Sequence, residues 1–246
     1  RGERFRGPRD LALAARQDVA MAYDQNRYRA LVQSAAVNYE FWRGTIQDQS
    51  SRGLAMSFVG APTFGRVNGH PCLKQNAAGD CVTSGAVPMA VDVLGDFFLE
   101  VTFCVSTGGL KANLLTQGGV GGGFTTYWVS ATQQVLLYLF TAAGAAAGQI
   151  YTPVGSILPS RRYHLLMQSL AAGTNGRVTI NGVHVAPVLM LAGVAAAGVN
   201  SVIITAGHSN AGCRENISTS RLWRGQYTNE DATCLAAAAE SLVGGW

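Results

Sequence analysis

The stretch "RVTINGVHVAP", Arg177 to Pro187, decides the fold. Asn-Gly between two short alternating apolar runs is the strongest local hairpin signal, because both central residues of a type I′ turn need positive φ. With Asn181 and Gly182 as the turn, Ile180 pairs with Val183 and Val178 with Val185. These four side chains share one face, and Thr179 and His184 share the other. One face is core; the other is wet or a binding surface. The expected unit is an antiparallel sheet with two distinct sides.

Away from this hairpin, short β-branched and aromatic runs alternate with Gly, Asn, Pro and Ser turns from Gly53 onward. The pattern predicts strands near Ala55–Val59, Pro71–Lys74, Phe97–Val105, Asn113–Gln117, Thr125–Ser130, Gln134–Thr141, Tyr163–Leu170, Arg177–Ile180, Val183–Pro187, Ser201–Ala206 and Ile217–Trp223. Many short strands at such spacing indicate a sandwich or jelly roll, not a βαβ fold. "TNEDATCLAAAAESL" reads as a short closing helix, capped by Thr228 or Asn229, with acids in its first turn and Gly244 at its end. Residues 8–36 read as a helix from Pro8 and Asp10, with a thin stripe of Leu11, Ala15, Val19, Ala22 and Ala30. "NYEFWRGTIQDQSSRG" reads as a linker with aromatic anchors Tyr39, Phe41 and Trp42. Residues 1–52 are thus expected to form an Arg-rich helical tether and linker, and residues 53–246 a β-sandwich.

Charge is scarce. Asp, Glu, Lys and Arg make up 13% of the 246 residues, against about 25% in a typical soluble domain. No residue from Ala112 to Ser160 is charged, and none from Val178 to Cys213 unless a His is protonated. Two readings fit: a protein with neutral polar faces, or a surface covered by partners. The net charge of +4 is no nucleic-acid signature, although residues 1–52 concentrate nine Arg beside six acids. Arg outnumbers Lys sixteen to two, which suits bidentate interface pairing. The apolar window "VLLYLFTAAGAAAGQI" is too short to span a bilayer, and Pro187, Gly193, Gly198 and Asn200 interrupt the longer "VAPVLMLAGVAAAGVNSVIITAG". No secretory signal is evident, and the start at Arg1 without a Met implies that something upstream is missing.

Five cysteines leave at least one unpaired within the chain. Cys213 with Cys234, and Cys72 with Cys81, are candidate bridges; buried free thiols are the alternative. No C-x-x-C and no zinc spacing occurs. Asn216-Ile217-Ser218 fits an N-glycosylation acceptor. No nucleophile elbow, Walker A motif or H-E-x-x-H occurs.

The order of these segments resembles the laminin-G-like branch of the concanavalin A-like lectin/glucanase superfamily. "APTFGRVNGHPCLKQN" resembles its opening strands and "LGDFFLEVTFCV" its acidic-then-aromatic strand. "SRRYHLLMQSLAAGTNGRVTINGVHV" resembles its aromatic-His strand, turn and return strand, and "VNSVIITAGHSNAGCRENISTSRLWRGQYTNEDATCLAA" its closing strands and helix. Together they cover roughly residues 54–242. The resemblance implies a two-sheet antiparallel jelly roll with one concave sheet, binding glycans or proteins there or at rim loops, often with calcium. Glucanase-like members use paired carboxylates. Here Glu100 stands alone in "FLEVTFCV", so the pair that glycoside hydrolysis needs is missing. Calcium has thin support: Asp80 and the Asp92/Asp96 pair read as turn residues. A glycan or partner face would draw on Tyr127, Trp128, Tyr138, His184, His208 and Asn210. Tyr127 and Trp128 point to opposite faces, so only one of the two can be core.

The expectation is a mainly β, non-enzymatic subunit of a large assembly, such as a virion component or an accessory subunit of an organellar, for example mitochondrial, complex. It would dock on other protein subunits through its low-charge sandwich, with Arg27, Arg29, Arg43 and Arg52 and Trp42 as tether contacts and no cofactor. A carbohydrate-binding adhesion module is the alternative, and a glycoside hydrolase resting on Glu100 the third reading.

Overall fold

A computed structural model of the chain describes residues 24–243, apart from residues 78, 106–110, 120–121, 142, 144, 192–200, 203 and 211–214. Its body is a sandwich of two antiparallel sheets. From edge to edge, sheet I runs β14 (Val183–Val185), β13 (Asn175–Ile180), β12 (Arg162–Leu170), β7 (Phe97–Val105), β18 (Glu215–Arg224), β4 (His70–Lys74) and β3 (Thr63–Val67), with β1 (Val37–Tyr39) also paired to β18. Sheet II runs β15 (Val188–Leu191), β11 (Ala146–Tyr151), β10 (Gln134–Phe140), β9 (Gly122–Val129), β8 (Lys111–Gly119), β17 (Ile204–Asn210), β5 (Cys81–Ser84) and β2 (Met56–Val59). A two-residue pair, β6 (Val87–Pro88) with β16 (Ser201–Val202), lies apart. Two α-helices, α1 (Gln25–Ser34) and α2 (Asn229–Val243), and two three-residue 3-10 turns, Phe41–Arg43 and Ala171–Gly173, complete the described chain.

The Asn-Gly hairpin forms in the register read from the sequence: Val178 opposite Val185, Thr179 opposite His184, Ile180 opposite Val183. Asn181 (φ 49°) and Gly182 (φ 77°) both take the left-handed conformation that the I′ turn demands. A Cβ on Gly182 would stand 3.2 Å from the Cβ of Ala236, so α2 packs directly on the turn.

Period-2 alternation divides each strand between the two sides. From β7, Phe97, Leu99, Val101, Phe103 and Val105 enter the core between the sheets. They meet Phe124, Trp128, Leu137 and Ile150 of sheet II, with Phe97 stacked on Phe124 at 5.1 Å. All of β7 is nevertheless buried, because the other side of sheet I is covered as well. There Phe98, Leu166, Trp223, Tyr227, Ala232 and Leu235 form a second apolar cluster under the helices. Trp223 stacks on Phe98 at 4.7 Å and donates its indole N–H to the Leu31 carbonyl of α1 at 2.8 Å. α2 begins with a reciprocal cap: Thr228 Oγ1 accepts from the Asp231 amide at 3.1 Å, and Asp231 Oδ2 accepts from the Thr228 amide at 2.8 Å.

Several expectations need correction. The stretch read as a linker is part of the body: β1 pairs with β18, and Val37, Tyr39 and Phe41 have at most 1% of their surface exposed. Of the helix expected over residues 8–36, the described residues hold α1, and residues 8–23 lie outside them. Cys234 is a buried free thiol that donates to the Asp24 carbonyl, so it is not bridged to Cys213, which lies outside the described residues. Cys72, on β4 of sheet I, is likewise a buried free thiol and is not bridged to Cys81 on β5 of sheet II. Asn216 is buried on β18 and donates to the Cys104 carbonyl at 3.4 Å, so it is not presented for glycosylation. Among the described residues, no helix is long and apolar enough to cross a membrane.

Candidate functional site

The outer face of sheet II is built by register alone. One row crosses all eight strands: Ser57, Thr83, Thr205, Thr116, Thr125, Tyr138, Gln149 and Met190 lie opposite one another in turn. Side chains paired across neighbouring strands share a face, so the row is a ladder of hydroxyls ending in an aromatic, an amide and a thioether. Thr116 and Thr125 hydroxyls stand 2.7 Å apart, and those of Thr83 and Thr205 3.3 Å. The next row places Asn113, Tyr127, Leu136, Tyr151 and Val188 in register. Tyr138 gathers the aromatics, with ring centroids 5.9 Å from Tyr127 and 5.8 Å from Phe140. The Tyr151 hydroxyl donates to Gln149 Oε1. Burial pushes the Tyr127 hydroxyl up to about 12, with Tyr138 and Tyr151 adding to the effect, and it raises Tyr151 in the same direction. These two phenols therefore stay neutral at physiological pH. Neither row holds an Asp, Glu, Lys or Arg, and His208, opposite Asn113, continues the second.

The structure sorts the candidate residues. Tyr127 and Tyr138 come together on this face. Trp128 points the other way, into the core, where its indole N–H donates to the Ile157 carbonyl at 2.9 Å. His184 belongs to sheet I, with Nδ1 3.0 Å from the Val178 carbonyl, and is not a companion of the tyrosines. His208 and Asn210 stand opposite Asn113 and Lys111 in the β17–β8 register. Gln149, Tyr151, Phe140 and the threonine row were not singled out; alternation along Gln134–Thr141 places Tyr138 and Phe140 on one side, but the threonines align only once the strand order is known.

The tether arginines turn back on their own chain. Arg27 pairs with Glu230 at 2.7 Å and Asp231 at 2.8 Å and holds α1 to the start of α2. Arg43 pairs with Glu40 and stacks over Trp42 at 4.7 Å. Arg52 donates to the Pro88 carbonyl. Arg29 is exposed on α1 and makes no ion pair among the described residues.

Glu100 is no catalytic acid in a cleft. It is fully buried on the helix-covered side of sheet I. Its oxygens bind Arg221 Nη1 at 2.8 Å and His164 Nε2 at 3.0 Å. Arg221 also grips Glu40 at 2.7 Å, the Asn38 side-chain oxygen at 2.7 Å and the Tyr28 hydroxyl at 2.9 Å. Burial alone would raise the Glu100 carboxyl, but Arg221 and His164 outweigh it and hold it below the usual range. The Arg221 guanidinium, penalised by burial, is raised on balance by Glu100, Tyr28 and Glu40. The acids considered for calcium are engaged elsewhere. Asp80 accepts from the Ala61, Asn76 and Ala77 amides, each at 2.9 Å. Asp92 and Asp96 line a cleft shared with the Arg224 guanidinium, which competes with a cation. Among the described residues no three His, Cys, Asp or Glu side chains converge.

No protein-family model matches the chain, and no curated protein does. Its fold is shared with solved structures of botulinum neurotoxin binding domains. The serotype G binding domain superposes with a TM-score of 0.64 at 11% identity, over 84% of this chain and 51% of that one. The binding domain of neurotoxin DC in complex with rat synaptotagmin II gives 0.63 at 12%, over 85% and 52%. The serotype D ligand-binding domain in complex with N-acetylneuraminic acid gives 0.63 at 8%, over 83% and 51%. The chain spans about half the length of each, and at such identity the likeness is one of fold.

Proposed function

We propose that the chain is a non-enzymatic binding module that docks on another protein subunit of a larger assembly through the outer face of sheet II. The observation that carries this is the absence of Asp, Glu, Lys and Arg from the eight-strand row of that face and from the row beside it, while Glu100, Arg162 and Arg221 on the outward positions of sheet I are buried. Such a face loses little on leaving water, provided its hydroxyls and amides find partners. The free edge favours a protein: Val188, Leu189, Met190 and Leu191 of β15 are all exposed, and an apolar edge strand invites a neighbouring chain. That the solved neighbours include binding domains in complex with a protein and with a sugar supports a binding role. The two-sheet sandwich with its closing helix supports the laminin-G-like reading, and a virion or an organellar complex would both supply such a setting.

The test is a photo-crosslinking residue placed at position 138 in the native cells, with position 66 on the sheet I edge as control. One discrete protein adduct from 138 and not from 66 supports the proposal; no adduct, or the same adducts from both, overturns it. The second reading, a carbohydrate module, is favoured by the Tyr127–Tyr138–Phe140 cluster beside Gln149, since aromatic faces with convergent amides suit sugar rings. Saccharide-competed binding on a glycan array, abolished by Tyr138→Ala, would replace the first reading with this one.

A further inference from the structure

Among the described residues, sheet II ends in two strands with one neighbour each, β15 and β2. Both have four residues, Val188–Leu191 and Met56–Val59. Neither contains a charged residue, a proline or a glycine. Every residue of β15 is exposed, and so are Ser57, Phe58 and Val59 of β2. Sheet I treats its edges differently. β14 stops after three residues, and β3 carries Gly65 and the exposed Arg66. A strand cut short and an edge charge are common protections against pairing with another chain. β15 and β2 have no such charge.

The two edges also fit each other. Every pairing from β15 across to β2 is antiparallel. Eight strands alternating in direction leave the first and the last running opposite ways. A second copy set beside the first in the same orientation therefore brings its β15 antiparallel to β2, with both outer faces on one side. The row across the sheet begins at Ser57 and ends at Met190, so both point outward. Setting Met190 of one copy opposite Ser57 of the next places Val188 opposite Val59 on the same face. On the inner side Leu189 then meets Phe58, and Leu191 meets Met56. Phe58 is already held edge-on by Phe64 of β3, with ring centroids 5.9 Å apart. These three pairs are apolar on both sides, the kind of cross-strand contact that stabilises a sheet. The unpaired N–H and C=O groups of the two edges satisfy one another. Like pairs with like less well. Full antiparallel overlap of β15 with itself sets Val188 against Leu191, an outward side chain against an inward one, and β2 with itself meets the same mismatch.

We propose that the chain assembles head-to-tail with copies of itself, β15 of one copy joining β2 of the next, so that sheet II continues from copy to copy. This names the occupant of the edges and leaves the outer face to the subunit proposed above. Adduct formation at position 138 tests that face separately, so either reading can fail alone. Heterologous contacts of this kind build rings or filaments, not isolated dimers. The test is sedimentation velocity of the full chain over a range of concentrations. The parent should grow beyond the dimer as concentration rises. Leu191→Lys and Phe58→Lys should each be monomeric alone, because each has lost one edge. Mixed in equal amounts they should form a dimer and nothing larger, since one intact edge of each kind remains between them. Val59→Lys repeats the β2 arm without disturbing the Phe58–Phe64 contact. A parent that stays monomeric to its limit of solubility would overturn the proposal. So would a Phe58→Lys or Val59→Lys protein that dimerises alone, which would assign β15 to itself, or a mixture that stays monomeric.

Discussion

The outer faces of the two sheets follow opposite rules. Sheet I carries Glu100, His164, Arg221, Gln168 and Arg162 on its outward positions, and the chain buries them all. Sheet II carries threonines, tyrosines and glutamines, and much of that face is left half-exposed. A soluble domain ordinarily places charge outside and neutral groups inside. Here Glu100, Arg221 and Glu40 pair with one another beneath α1 and α2, although the Gln168 amide beside them is buried without a hydrogen-bond partner among the described residues, and the neutral side is left for something else to satisfy. The scarcity of surface charge is thus a matter of placement as well as of composition.

The sharpest way to break this contrast is Arg221→Met. It strands two buried carboxylates, Glu100 and Glu40, and the cost of removing one partner of a buried pair is about 3–5 kcal/mol, read as the urea midpoint. Trp223→Ala removes the ring stacked on Phe98 and the bond to Leu31; the expected loss is about 3 kcal/mol, with fast amide exchange throughout α1. An unchanged midpoint in both variants would mean that sheet I does not depend on its cover. Acid should act on the same network. The Glu100 carboxyl is held below its ordinary value in the folded state, so its contribution is complete above the unfolded value of about 4.3 and is lost as pH falls through the lower folded value. Glu100→Gln should start less stable and lose less between pH 5 and pH 3 than the parent. On sheet II, Tyr138→Glu should cost about 1 kcal/mol or less and yet abolish docking; a large stability loss would mean the tyrosine face is core and not interface.

How much of this was legible follows from the range of each interaction. The register of the Val178–Val185 hairpin is local, so alternation and Asn-Gly determine it, but its burial is not: Val178 is buried while Val183 is 64% exposed. β7 was legible end to end because "FFLEVTFCV" alternates between bulky and polar side chains. β11, "AAGQIY", has no β-branched residue before Ile150 and passes for loop, while β3 contains Gly65 and Arg66 at an edge. The choice between Tyr127 and Trp128 needed a partner for the indole N–H, supplied by Ile157 from a distant loop. The Glu100–Arg221–Glu40 network joins strands far apart in sequence; parity puts Arg221 and Trp223 on one side of β18, but only the sheet order puts them beside Glu100 and Phe98.

The central claim is that the outer face of sheet II is covered by a partner in the native state. Nitration of Tyr127, Tyr138 and Tyr151, followed by mass spectrometry, measures this directly when the native assembly is compared with the isolated chain. The account predicts that all three are protected in the assembly and reactive in the isolated chain. Equal reactivity in the two states would contradict it.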